Sequence, residues 1–232
     1  MALAAGALGL AIAATAAPAS KAGAAAVRVQ ELAALQQKAV AHSAPIRLSR
    51  TIESVGATRP ISGRRTFLPV VGHSTDEDGD AWLKVMLPGR PNSHTGWILA
   101  ATASRAETPW RIAVDLSARR LKIFREGHRV RSYRAVVGKA STPTPRGKFF
   151  VEEVVRLGGG AIGAPAALAL SARSNVLQQF EGGPGQIAFH GTGNVGGKPG
   201  TAVSHGCMRL RTRAIRWLAA HVVGGSPVEI RR

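Results

Sequence analysis

The single cysteine of this 232-residue chain, Cys207, stands in the run Ser204-His205-Gly206-Cys207-Met208-Arg209, seventeen positions after the histidine of His190-Gly191-Thr192. A thiol near its reference pKa of about 8.5 is only a few per cent ionised at neutral pH, so an imidazole that takes its proton raises the nucleophilic fraction. His190 and His205 could each do this. Gly206 allows a tight turn, which would let the amides around Gly206 and Cys207 face an oxyanion forming on an attacked carbonyl. These residue types at this spacing point to covalent acyl transfer.

Such groups need a rigid frame. Alternation and β-branched residues predict antiparallel strands over 110–115, 119–125, 130–137 and 148–155, with turns at Gly127 and Gly138. A short strand over 187–189 should end at His190, and a Gly-rich loop then leads to Ser204. The prolines of Thr142-Pro143-Thr144-Pro145-Arg146-Gly147 restrict that segment, as a rigid turn or as a substrate-facing rim. Thr212 is the expected cap of one helix, whose Ile215, Leu218, Ala219 and Val222 share a face and which Gly224-Gly225 stops. Upstream, apolar runs at 66–71, 82–87 and 96–99, broken by Asp78-Gly79-Asp80 and Pro88-Gly89-Arg90-Pro91-Asn92, predict a small β module over 47–106. Residues 24–41 read as a helix through Leu32, Leu35 and Val40, ended by Pro45, within a helical or linker segment over 21–46.

Residues 1–20 carry no charge, run apolar from Ala2 to Ala14, and offer small-residue processing sites at Ala14-Thr15-Ala16 and Ala17-Pro18-Ala19. That pattern predicts export, as a cleaved signal or a weak membrane anchor. One cysteine forms no disulfide within the chain, so an exported fold must draw its stability from its core. The net charge of +18 is uneven, with +14 in residues 108–232 and +4 in residues 1–107. Such a field favours an anionic partner without specifying chemistry, and the strands over 119–134 could hold an anionic wall polymer. Export and the lack of a recognition motif argue against nucleic acid.

From His190-Gly191-Thr192 through Ser204-His205-Gly206-Cys207-Met208-Arg209 the chain resembles the L,D-transpeptidase catalytic domain family. The likeness extends upstream through Val114-Asp115-Leu116-Ser117, Val137-Gly138 and Thr144-Pro145-Arg146-Gly147-Lys148-Phe149, and so covers residues 108–232. It implies a mostly β sandwich with one C-terminal-side helix. Trp82-Leu83-Lys84-Val85 with Gly96-Trp97-Ile98 resembles SH3-like wall-binding modules more loosely. The family likeness makes Cys207 the nucleophile, His190 its base and the Gly191 carbonyl the group that orients the imidazole. His205 and Gly206 would shape the oxyanion hole, Ser204 would bind substrate, and Arg209 would meet the donor's carboxylate or fix the loop. The implied reaction joins peptidoglycan stem peptides by 3-3 cross-links through a Cys207 thioester, in a carbapenem-sensitive monomer with no cofactor and no metal. Water or a protein amine as acceptor would make it an L,D-carboxypeptidase or an anchoring enzyme, and a non-catalytic wall binder is the reading from another class.

Three other motifs compete with this reading. His190, His205, Cys207 and His221 could ligate zinc, but they lack paired ligand spacing. Gly191-Thr192-Gly193-Asn194-Val195-Gly196 spells a dinucleotide fingerprint, yet Gly197-Lys198-Pro199-Gly200 continues it as loop instead of opening a helix. Asp76, Asp78 and Asp80 suggest a calcium loop, but Leu87 stands where its twelfth-position Glu belongs, so a polar hairpin turn is expected.

Overall fold

The computed structural model describes residue 1 and residues 29–180 and 182–232, so the proposed leader over 1–20 lies, apart from its first residue, outside the described residues. The first unit is a seven-stranded sheet built from β1 (Gln30–Leu35), β2 (Ala39–His42), β3 (Thr51–Val55), β4 (Phe67–Thr75), β5 (Ala81–Met86), β6 (Thr95–Leu99) and β7 (Ala103–Thr108). Its strand order is β3-β2-β6-β5-β4-β1-β7. The helix expected over 24–41 is therefore corrected. Its described part is two strands, and β1 lies between β4 and β7, paired antiparallel to both. Leu32 through Leu35 are all buried, so their i, i+3 spacing served a strand covered on both faces, where tertiary pairing overrides the helical preference of alanine. In β2 the strand period shows directly, with Ala39 and Ala41 buried and Val40 outside. The described part of the 21–46 segment is thus part of the first β unit, whose first described strand starts at Gln30. Asp76 closes the β4–β5 hairpin by accepting the amides of Asp78 and Asp80 and the indole N–H of Trp82.

The second unit holds β8 (Trp110–Asp115), β9 (Arg120–Arg125), β10 (His128–Arg134), β11 (Val137–Gly138), β12 (Gly147–Arg156), β13 (Ala166–Arg173), β14 (Gln186–Gly191), β15 (Ala202–Ser204), β16 (Met208–Leu210), the helix α1 (Thr212–His221) and β17 (Pro227–Arg231). Eight of these strands form a sheet in the order β10-β9-β8-β17-β12-β13-β14-β16, and β11 pairs with β15. Alternation aims Ile112, Val114, Leu121 and Ile123 into one apolar core, and α1 closes it with Ala214, Ile215 and Leu218. Burying each Leu or Ile in this way contributes about 1.5–3 kcal/mol. The fold is mostly β, of sandwich type. Helix α1 starts one residue earlier than expected, with Arg211 in place of Thr212 as an N-cap that makes no side-chain bond, and it ends where Val222 turns extended.

The two units interlock. Phe150 of β12 points into the core of the first unit. Glu152, also on β12 and 3% exposed, is ion-paired to Arg59 from the first unit and to Arg173 of β13 at 2.9 Å. The residue 88–94 turn reaches the other way, with the Gly89 amide donating to Ser171 at 3.0 Å and Asn92 bracketing the backbone of Arg173.

Candidate active site

Strands β14 and β16 run parallel, with Phe189 beside Met208, His190 beside Arg209 and Gly191 beside Leu210. On β14, Ile187 and Phe189 are buried in the core, so Gln186 and His190 face away from it. Met208 and Leu210 do the same on β16 and turn Cys207 and Arg209 to that same outer side. With strands about 4.8 Å apart and two residues rising roughly 6.6 Å, a Cys207–His190 diagonal spans roughly 8 Å between Cα atoms, within reach of a thiol and an imidazole. The seventeen-residue interval is the path of the loop that returns the chain to a neighbouring parallel strand.

The His190 Nδ1 lies 2.8 Å from the Gly191 carbonyl, which can only accept, so Nδ1 carries the proton and Nε2 keeps its lone pair in the neutral ring. Burial holds the His190 pKa below the ordinary histidine value, the Arg209 cation adds to that depression, and the bond to Gly191 opposes it. Gly163, at φ +83°, packs on the ring so closely that a Cβ there would stand 2.6 Å from Nδ1. Its carbonyl accepts the Gly191 amide at 2.7 Å, and its amide donates to Gly193 at 2.8 Å. The residue 161–164 turn therefore fixes both the ring and the carbonyl that orients it.

The turn before Cys207 is held from behind. Gly206 has φ +120°, a conformation that favours glycine, and a Cβ there would stand 2.9 Å from Ile187 Cδ1 and push that methyl aside. The Ser204 hydroxyl donates to the Cys207 carbonyl at 2.6 Å and accepts the Gly206 amide at 3.1 Å. Ser204 is fully buried and is not among the residues that line the cleft, and its two bonds hold the turn. The Gly206 amide is committed to Ser204, so Gly206 sets the turn's geometry and does not supply an oxyanion donor in this conformation. Thr144 Oγ1 donates to the Gly206 carbonyl at 2.7 Å, and Thr142 Oγ1 to the Ser204 carbonyl at 3.2 Å. Both threonines are buried, which makes the Thr142–Pro145 segment a brace under the turn before Cys207 and not a rim.

A cleft of about 220 Å³ opens over these groups, with Cys207, His190, His205 and Arg209 among its lining residues and Ile162, Leu177, Phe180, Ile187 and Val195 as apolar walls. Among the described residues, no carboxylate lines it. The thiol donates to the Gln186 carbonyl at 3.8 Å. Exposed His205 tilts against Phe180 with ring centroids 5.5 Å apart, so it belongs to the cleft's edge. Arg209 reaches over the loop after β14, with Nη1 2.5 Å from the Gly196 carbonyl, while its Nε is buried without a partner. Arg209 therefore ties that loop and also lines the cleft. His221 is elsewhere, on α1 and stacked on Trp217 at 4.2 Å, so the four groups of the zinc reading do not converge. After Gly191 the chain continues as loop, without the helix that a dinucleotide fingerprint opens.

One contributor was not visible in the pattern. Arg90, from the first unit, donates to the carbonyls of Ser174 at 2.8 Å, Leu177 at 3.2 Å and Pro184 at 3.0 Å. Those carbonyls belong to the segment that walls the cleft through Ser174, Leu177 and Gly185. Its neighbourhood, Pro88-Gly89-Arg90-Pro91-Asn92, reads in sequence only as a turn.

The arrangement is a thiol–imidazole site on a β scaffold. Residues 109–230 match the YkuD family, the L,D-transpeptidase catalytic domain, and the chain belongs to this family. It is 36% identical over 122 residues to a Bacillus licheniformis protein named as an L,D-transpeptidase, YkuD, covering 53% of this chain and 66% of that protein, just under two thirds of its length. A Bacillus subtilis protein of the same name is 30% identical over 148 residues, covering 64% of this chain and 74% of its own. Among solved structures, an L,D-transpeptidase from Mycobacterium smegmatis aligns with a TM-score of 0.40 at 18% identity, over 71% of this chain and 99% of that one. The catalytic domain of the E. faecium L,D-transpeptidase gives a TM-score of 0.39 at 21% identity, over 53% and 96%.

Proposed function

We propose that this chain is an exported peptidoglycan L,D-transpeptidase that joins stem peptides by 3-3 cross-links. Cys207 attacks the carbonyl at the third, L-configured residue of a tetrapeptide stem. Its proton goes to His190 Nε2, the new S–C bond forms, and D-alanine leaves with a proton returned to its amine. The amine of a second stem then attacks the thioester, His190 takes the proton released from that amine, and the Cys207 sulfur departs. The observation that carries this reading is the His190 geometry: the Gly191 bond fixes the tautomer, and burial keeps the ring neutral and ready to accept a proton. Arg209 would meet the donor's carboxylate, and among the described residues that line the cleft there is no acid to compete for it.

A defined tetrapeptide donor, incubated with and without an amine acceptor and read by mass spectrometry, tests the proposal. Loss of D-alanine with a peptide–peptide product is expected. A product formed only by water would make the chain a carboxypeptidase, and cross-linking by a Cys207→Ala variant would overturn the assignment altogether.

A further inference from the structure

We propose that the outer face of β8, β9, β10 and β17 is a docking surface for a linear phosphodiester polymer of the cell wall. Strand register defines the face, because directly paired residues point to the same side. Ile112, Val114, Leu121 and Ile123 point into the core, so their neighbours in sequence point out. One outer row joins Arg111, Phe124 and Arg129. A second joins Lys148, Glu229, Lys122 and Ser132, with Ala113 between Glu229 and Lys122. A third joins Arg231, Asp115, Arg120 and Arg134. Six cations of these four strands, with Lys148 of the adjoining β12 as a seventh, thus share the face with two carboxylates, and among the described residues no ion pair joins any of the seven to an acid. Asp115 is further engaged by the Ala118 amide at 2.8 Å and the Ser117 hydroxyl at 3.1 Å.

This placement is more than the edge protection that lysine and arginine give an outermost strand. Only β10 is an edge, whereas β9, β8 and β17 are the second, third and fourth strands of the sheet. Arg120 and Arg134 are direct cross-strand partners, an arrangement that repels unless an anion lies between them. Four strands cover about 14 Å across, room for several charges in line. Five of the seven cations are arginines, whose planar fork suits phosphate oxygens in pairs. The one ring in these rows, Phe124, is covered by the Arg111 guanidinium 4.1 Å from its centroid, so the face offers charge and little to stack a base on. It lies at the opposite end of the strand order from β14 and β16, so a polymer held there leaves the cleft open. Holding the enzyme along the wall would raise the effective concentration of stem peptides at the cleft. The choice of a wall polymer rests on the wall-acting reading above; the charge pattern itself does not depend on Cys207.

The test is sedimentation of the full chain with purified walls that carry phosphodiester polymers, with the same walls stripped by cold hydrofluoric acid, and with phosphatidylglycerol vesicles. A triple variant, Arg111→Gln with Lys122→Gln and Arg129→Gln, is run in parallel, and its folding is checked by the rate of carbapenem adduct formation at Cys207. We expect binding to intact walls, at least tenfold weaker binding to stripped walls, and a log–log salt slope lowered by roughly 2 in the variant at an unchanged adduct rate. Equal binding to stripped walls, an unchanged slope in the variant, or preference for the vesicles would overturn the proposal. If the walls bind as expected but the wild-type chain forms no adduct, the docking surface stands and the catalytic reading falls.

Discussion

Replacing Thr144 by valine removes one hydroxyl and preserves the side chain's shape. In the native chain that hydroxyl donates to the Gly206 carbonyl at 2.7 Å and accepts the Gly138 amide at 2.9 Å. Thr144 is 4% exposed, so water cannot easily replace either bond, and two buried backbone groups lose their partner. At roughly 1–3 kcal/mol for each group left unsatisfied, partly relaxed by local movement, the loss should be about 3 kcal/mol. For a chain of this size that lowers the melting temperature by about 6–12 °C. The Gly206 carbonyl precedes Cys207, so the thiol's position loosens as well, and carbapenem acylation should slow by about tenfold or more. Thr144→Ser, which keeps the oxygen, should recover most of the rate while losing about 1 kcal/mol for the missing methyl. Thermal unfolding and stopped-flow acylation measure the two effects. A valine variant with native melting and native acylation would show that the Thr142–Pro145 segment does not brace the nucleophile.

The acid limb of the pH–rate profile should lie below the ordinary histidine value, because a neutral His190 is required and burial holds its pKa down. Arg209→Gln removes the neighbouring cation and should move that limb upward, whereas a substitution that only disturbed the loop would lower the rate at every pH. The same depression disfavours the charged ring in the folded state, so folding stability carried by His190 should be present above about pH 6.5 and decline as the pH falls below it, which urea titrations at several pH values would detect. Glu152→Gln leaves Arg59 and Arg173 buried without their counter-charge and should cost about 3–5 kcal/mol in equilibrium unfolding. Arg90→Lys keeps the charge but loses the three-carbonyl fork; since Arg90 is exposed, about 1 kcal/mol is expected, seen as a roughly fivefold higher KM for the donor with little change in kcat.

Much of the second unit was legible in the sequence because its strands alternate cleanly. The segments around β8 and β9 carry large apolar residues on one side and mostly charges on the other, β14 sets Ile187 and Phe189 on one side, and α1 carries a compact apolar stripe. Two strands were hidden for one shared reason. In β1 and β13 small alanines pack where neighbouring strands crowd both edges, and Ala166-Ala167-Leu168-Ala169-Leu170 has no polar face to mark a period of two. The chemical pair was legible from residue type, but its support was not. Parallel pairing of β14 with β16 joins residues separated by a long loop, and no local pattern reports it. The Gly163 contact, the Thr144 brace and the Arg90 fork are likewise long-range. Ser204 illustrates the limit well: a serine inside a reactive motif suggests a substrate contact, and only its burial and its two backbone bonds show that it builds the turn.

The central claim is that Cys207 accepts the acyl group and His190 prepares it. Intact-mass analysis after incubation with a carbapenem, followed by peptide mapping, tests this most directly. One adduct located on Cys207 is expected, absent in Cys207→Ala and formed at least a hundredfold more slowly in His190→Ala. An adduct on any other residue, or a His190→Ala variant that acylates at the native rate, would contradict it.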